Sequence, residues 1–340
     1  MKKLLNTLYV LTQGTYLHQD SNNIVLEKER QILARLPAHA LESIVCFGNV
    51  LCSPFLFDLC AKNNIHLSFF TESGRFIARV HHKVHGNVLL RFNQAKKKLS
   101  DNASLEIAKC FIVGKLYNSR TVIQRRLRDH GYNEKCHDVI SELVKMLHKL
   151  DTISSLNELR GIEGISATLY FAALNQCILA QDSDFHFETR SRRPPMDRMN
   201  ALLSFLYTIL AHDCASALES VGLDTQMGFL HELRPGRDSL ALDLMEEFRA
   251  PLADRMALSL VNLKQLSSHD FDISESGAVE MREDARKLVL TAWQKRKKEI
   301  ITHPFLNEKM EIGMLPFVQA QLLARHIRGD IDAYPPFLNK

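Results

Sequence analysis

The stretch 104-SLEIAKCFIVGKLYNSRTVIQRRLRD-129 runs at helical period with few turn residues, and it decides the class of fold. Its neighbours VLLRFNQAKKKL (88–99) and ISELVKMLHKL (140–150) read the same way. The helical pattern then persists to about residue 328. Two segments interrupt it. In 185-FHFETRSRRPPMD-197 the Arg-Arg-Pro-Pro run cannot continue a helix and reads as an exposed basic loop. The other, 266-LSSHDFDISESG-277, reads as a polar connector. Upstream of Gly86 the pattern differs. TLYVLT, TYLHQD, NIVLEKE, QILARLP, SIVCFG, IHLSFF and GRFIARV are short, β-branched or alternating, and are punctuated by Gly14, Asp20–Asn23, Pro37 and Gly48. Within that region SPFLFDLCAKNN (53–64) predicts a helix, with Ser53 as cap, Pro54 in the first turn, and Phe55, Leu56, Leu59 and Cys60 on one face. The expected fold is α+β: a small N-terminal β-rich domain over 1–85, then a larger all-α C-terminal domain over 86–340.

Bulk properties narrow the function. The chain has 340 residues, 46% hydrophobic and 24% charged, which is ordinary globular usage. No uninterrupted apolar run reaches the ~20 residues of a membrane span, and the N-terminal MKKLLNTLYVLTQGTYL lacks a convincing cleavage site, so a cytoplasmic protein is expected. The seven cysteines form no C-x-x-C pair, which favours reduced thiols over a zinc ribbon. His81, His82 and His85 lack acids or cysteines nearby and read as a basic linker. Net charge is +4, but between Arg75 and Arg128 thirteen Lys/Arg face only Asp101 and Glu106. Such a concentration favours a polyanion, most commonly nucleic acid; a solvated helical face is the alternative.

Chemistry gathers at two places. In 157-NELRGIEGISATLYF-171, Glu163 sits between Gly161 and Gly164, although each glycine weakens a helix by roughly 1 kcal/mol relative to alanine. Glycines there would allow a neighbouring helix or a DNA backbone to come close to the carboxylate. In 228-GFLHELRPGRDSLALDLMEEFRAPLADR-255, Asp243, Glu246 and Glu247 fall at i, i+3 and i+4 on one helix, with His231 just before the preceding turn. An acidic turn facing water explains the acids alone. With Glu163 and His231 they also make a set suited to Mg²⁺ or Mn²⁺, ions that favour oxygen ligands and tolerate one imidazole. No Walker, G-x-G-x-x-G or G-x-S-x-G motif is present.

These segments, together with RRPPMDRMNALLSFLYTIL, VGLDTQMGFLHELRPGRDSLALDLMEEFRAPLADR and the late QAQLLARHIRGD, resemble the CRISPR-associated protein one family over nearly the whole chain. The wording RPGRDSLALDLMEEFR most resembles members found with type I-C systems. The resemblance implies a Mn²⁺/Mg²⁺ site and catalytic set of Glu163 (G-x-E-G), His231 (G-F-L/I-H) and Glu246 (D-x-x-D/E), with Asp243 as a possible second acid. Many members carry aspartate where this chain has Glu246. It further implies a metal-dependent DNA endonuclease and integrase of spacer acquisition, in which a 3′-hydroxyl attacks a phosphodiester. Implied partners are double-stranded and branched DNA, a second copy in a homodimer joined through the β-rich domains, and the small ferredoxin-like CRISPR-associated protein two. Arg192, Arg193, Arg125, Arg126 and Arg128 are the expected DNA-binding residues. A catalytically silent DNA-binding scaffold and a hydrolase of small phosphoesters are the alternatives.

Overall fold

The computed structural model describes residues 7–41, 43–63, 65–72, 76–80, 88–179 and 183–339. The chain divides into two compact units. One groups Met1–His85 with Glu283–Glu299 and Glu311–Met314; the other groups Gly86–Arg282, Ile300–Met310 and Leu315–Lys340. The boundary expected between 85 and 86, like the histidine-rich 81–86 and the N-terminal MKKLLN, lies outside the described residues.

In the first unit, β1 (Thr7–Val10), β5 (Ser43–Phe47), β7 (His66–Phe70) and β8 (Phe76–Val80) form one sheet in that order. Its first three strands are parallel and β8 is antiparallel. Central β5, Ser-Ile-Val-Cys-Phe, is buried at every position, as a strand covered on both faces must be. A second sheet has the order β4 (Gln31–Pro37), β3 (Asn23–Lys28), β2 (Thr15–Asp20), β6 (Val50–Cys52). Strand β6 was not anticipated; three residues are too few for alternation to register. Helix α1 (Pro54–Asn63) starts where expected, with the Leu56 amide donating to Ser53 Oγ at 3.2 Å. Its buried face is Leu56, Leu59 and Cys60, which join Leu17, Ile24, Ile44 and Leu67 in the core. Phe55, placed on that face by spacing, is instead exposed.

The second unit is mainly helical: α2 (Val88–Leu99), α3 (Asp101–His130), α4 (Glu134–Lys149), α5 (Leu156–Asn175), α6 (Arg198–Ser220), α7 (Ser239–Phe248), α8 (Arg255–Asn262) and α10 (Leu315–Arg328). Helix α9 (Glu283–Lys297), which buries Trp293, belongs to the first unit. Ser100 caps α3 and Ser155 caps α5, each side chain accepting from an amide three residues on. Helix α3 packs against α4, α5 and α7, so it forms the spine of the unit. Helix α6 is long and apolar enough to cross a membrane, with mean hydropathy 1.4, yet most of it is buried among its neighbours as a core helix. The helical unit is not purely α. The connector read at 266–277 opens a hairpin, β9 (Phe271–Ile273) with β10 (Val279–Met281), and β11 (Ile300–Thr302) pairs with β12 (Lys309–Glu311). These three-residue strands are again below what periodicity can resolve.

Candidate active site

The site forms where the segment before α7 folds back onto that helix. Gln94 of α2 holds the segment by donating to the carbonyls of Asp224 and Met227 and accepting from the Asp224 amide. Gly228 is required there: a Cβ would lie 2.7 Å from the Ser239 carbonyl carbon and 2.9 Å from Asp243 Oδ2. That close approach brings three successive amides onto one carboxylate. Asp243 Oδ2 accepts from the Phe229 and Leu230 amides at 2.6 and 3.0 Å; Oδ1 accepts from the His231 amide at 3.0 Å and faces His231 Nδ1 at 2.6 Å. Asp243 is fully buried and all of its acceptor positions are engaged, so the carboxylate is committed to orienting His231. With Nδ1 committed, His231 Nε2 is the nitrogen left to meet a ligand. From α5, the Arg160 guanidinium grips the Leu230 carbonyl at 2.9 and 3.1 Å, tying the helix of Glu163 to the segment of His231.

One turn after Asp243, Glu246 is buried and doubly countered. Arg249 Nη1 donates to both its oxygens at 2.7 and 3.0 Å, and Lys115 Nζ of α3 lies 2.8 Å from Oε2. Burial works against the charge, but Arg249, then Lys115 and His231, hold the carboxyl well below the usual carboxylate range. The Lys115 ammonium also donates to Glu163 Oε1 of α5. Two carboxylates that are 83 residues apart in sequence thus converge on one cation.

Arg249 is itself fixed from behind. Its guanidinium lies 4.4 Å over the Tyr207 ring; the Tyr207 hydroxyl donates to Asp254 Oδ1 at 2.5 Å and that of Tyr170 to Oδ2 at 2.8 Å. Arg190 stacks on Tyr207 at 5.3 Å and binds Asn200 Oδ1 and Ser204 Oγ. Residues 249–254 form a π-helical turn joining α7 to α8, which places Arg249 and Asp254 on this network. Within the stretch RRPPMDRMNALLSFLYTIL, Tyr207 thus backs the arginine that pairs with Glu246, and Asn200 holds Arg190 against the same ring. All three acids of α7 are buried, so the acidic turn facing water is excluded. Glu247 points away from Glu246, into bonds from the Tyr334 hydroxyl, Gln319 and the Phe337 amide.

The donor set suits a hard divalent cation. Among the described residues no three His, Cys, Asp or Glu side chains stand together as a metal cluster. The Lys115 ammonium, however, stands in for a cation between Glu163 and Glu246, and His231 is near enough to Glu246 to influence its ionisation. Two carboxylates and one imidazole match the preferences of Mn²⁺ or Mg²⁺. The glycines flanking Glu163 do not admit a neighbouring helix: a Cβ at Gly161 or Gly164 would meet nothing within 4 Å. They leave an exposed face of α5, shared with Ile165.

The predicted arginines divide. Arg125 and Arg128 are exposed and share Asp129, while Arg126 donates to the carbonyls of Gln176 and Gly131 and so fastens helix ends. All three lie roughly 15–20 Å along α3 from Lys115, at the helical rise per residue. Arg192 and Arg193 are exposed on the loop before α6, after which the Arg193–Pro194 peptide is cis. Arg193 and Arg234 crowd Arg237, whose pKa is lowered by burial first and then by these cations; Asp243 opposes the shift. Lys115, Arg160, Arg234 and Arg237 carry no mark of a site in the sequence, whereas Arg249, three residues after Glu246, is a cation placed to answer the acids of its own helix, and it does so. The Arg-Pro-Gly-Arg turn after His231 gathers two of the first four locally.

The fold matches a casposase bound to integration product over 99% of this chain and 95% of that one, with a TM-score of 0.85 and 22% identity. It matches a chain of a Cas6-RT-Cas1–Cas2 complex with a TM-score of 0.84 and 22% identity, over 100% of this chain and 37% of that one. In sequence, the chain is 50% identical over 343 residues to the CRISPR-associated endonuclease Cas1 1 of Chlorobaculum tepidum, covering 99% of both. The profile of the family described as CRISPR associated protein Cas1 matches residues 8–295. The chain belongs to the Cas1 family.

Proposed function

We propose that this chain is a Mn²⁺- or Mg²⁺-dependent DNA endonuclease and integrase of CRISPR spacer acquisition. The observation that carries this reading is the convergence of Glu163 and Glu246 on a single cation, beside a histidine whose ring is oriented by Asp243. Membership of the Cas1 family and the endonuclease name of a 50% identical relative support the nuclease assignment. Glu163, His231 and Glu246 would hold the ion. When bound, it supplies Lewis-acid polarisation of a phosphoryl oxygen and acidifies the attacking hydroxyl. The protein's own residues supply the rest. Asp243 presents the His231 Nε2, Arg249 keeps Glu246 ionised, and the Tyr207–Asp254–Tyr170 network keeps Arg249 in place. The open face at Gly161 and Gly164 admits the DNA backbone, and Arg193, Arg234 and Arg237 attract its phosphates. A 3′-hydroxyl of the captured fragment then forms a new P–O bond while the bond to the displaced 3′-oxygen breaks, a transesterification without ATP. The partners are double-stranded and branched DNA, a second copy of the chain, and CRISPR-associated protein two. The RPGRDSLALDLMEEFR wording supports a type I-C setting, and the reaction a cytoplasmic one.

The test uses branched DNA with a single-stranded flap and Mn²⁺, on the native protein and on Glu163→Gln, His231→Ala and Glu246→Gln. Cleavage or strand transfer is expected to vanish in each variant while DNA binding and helical content persist. Products formed by the variants would place the chemistry elsewhere. DNA bound but left intact by the native protein, even with its small partner and a CRISPR repeat, would identify a scaffold.

A further inference from the structure

Charge balance in the pocket singles out Lys115. Its side chain is only 9% exposed, and it rises from α3 between buried Ile112 and Leu116. A buried ammonium persists only when opposite charges answer it. Here Glu163 and Glu246, from two other helices, do so. With Arg249 they make a contact set of two anions and two cations. A divalent ion held by Glu163 and Glu246 would contest the oxygens that the resident cations already hold and would add positive charge beside them in a largely buried space, so one resident cation must withdraw. Arg249 is pinned by its ring contact with Tyr207 and by both oxygens of Glu246. Lys115 touches the two carboxylates alone among the described groups, through a flexible four-carbon stem. Lys115 is the one free to leave.

We propose that Lys115 is a built-in counter-ion that competes with the metal for Glu163 and Glu246. It balances the pocket and aligns the two carboxylates before loading. On loading it withdraws, and its ammonium becomes available to the phosphate of the incoming DNA. Metal affinity is thereby held down in free protein and rises when DNA offers the lysine another anion, a reciprocal coupling. This inference rests on the metal-site reading above.

The experiment measures Mn²⁺ binding calorimetrically, without DNA, for the native protein and for Lys115→Met, Lys115→Arg and Glu163→Gln. Removing one competing unit charge at this range should tighten binding at least about tenfold in Lys115→Met. Lys115→Arg keeps the charge and should bind no more tightly than the native protein; Glu163→Gln should lose binding. A folded Lys115→Met that binds like the native protein, or more weakly, while Glu163→Gln still loses binding, overturns the competition and leaves the metal site standing. Absence of Mn²⁺ binding in both the native protein and Lys115→Met overturns the metal site and the competition with it. A second measurement needs no variant. The rate at which an amine-acylating reagent labels Lys115, followed by mass spectrometry, should rise several-fold at saturating Mn²⁺. A rate that Mn²⁺ leaves unchanged or lowers overturns the proposal.

Discussion

Gly161 and Gly164 separate two accounts of the same residues. If they existed to let another helix pack closely, alanine at either would clash and destabilise. The structure gives both a helical backbone and nothing within 4 Å of an added Cβ. Each Gly→Ala change therefore relieves the conformational cost of glycine in a helix interior, about 1 kcal/mol, without a steric penalty. The two open positions do not touch a shared partner, so the double variant should gain about 2 kcal/mol. At about 2–4 °C per kcal/mol for a unit of a couple of hundred residues, its thermal midpoint should rise by roughly 4–8 °C. Thermal unfolding followed by circular dichroism measures this directly. Cleavage of flapped DNA should fall in the same variant, because the new methyl groups stand on the face of α5 proposed to admit the DNA backbone. A drop in thermal midpoint would refute the open face. A rise in midpoint with undiminished cleavage would refute its use by DNA.

Two further outcomes follow from other parts of the fold. Asp243→Asn replaces an acceptor of four N–H bonds with a group that must turn an amide toward donors, so it should lose about 3 kcal/mol in urea unfolding, the scale of bonds to a charged partner. With His231 no longer oriented, its Mn²⁺ affinity should weaken about 10–100-fold, whereas unchanged affinity would remove Asp243 from the metal's support. His303 is fully buried, accepts the Phe305 and Leu306 amides at Nδ1, and donates from Nε2 to Gln319, so it must be neutral. Burial lowers its pKa below the ordinary ~6.5, hence the unfolded chain binds more protons just below that pH. Its stabilising contribution is full above about pH 6.5 and is lost as pH falls through the folded-state value. His303→Gln should flatten the fall in midpoint between pH 6.5 and the acid limb; an unaltered slope would show that another group sets it.

Most of the architecture was legible because periodicity is a local property. Seven of the eight strands in the first unit and the long helices of the second announce themselves by alternation and helical spacing, and α1 by its cap at Ser53. What escaped was short. Strand β6 and the hairpins at 271–281 and 300–311 each rest on three-residue strands, held by backbone pairing that leaves no pattern in side chains. The motif residues Glu163, His231, Asp243 and Glu246 were legible too, because a long segmental resemblance marks them.

Their roles were not. Sequence places Asp243 and Glu246 three residues apart on one helix and assigns both the same charge. Only the folded chain makes one a hydrogen-bond acceptor saturated by three amides and an imidazole, and the other an ion balanced by Arg249 and Lys115. Lys115 read as one cation in a basic stretch; its meaning depends on α3, α5 and α7 meeting at one point. The sequence by itself determined the two-part α+β fold, the family and the residues available for chemistry, since these depend on local pattern. Tertiary structure decided which acids face a cation, which face amides and which lysine is held between them, because burial and charge pairing are set by contacts between residues distant in the chain.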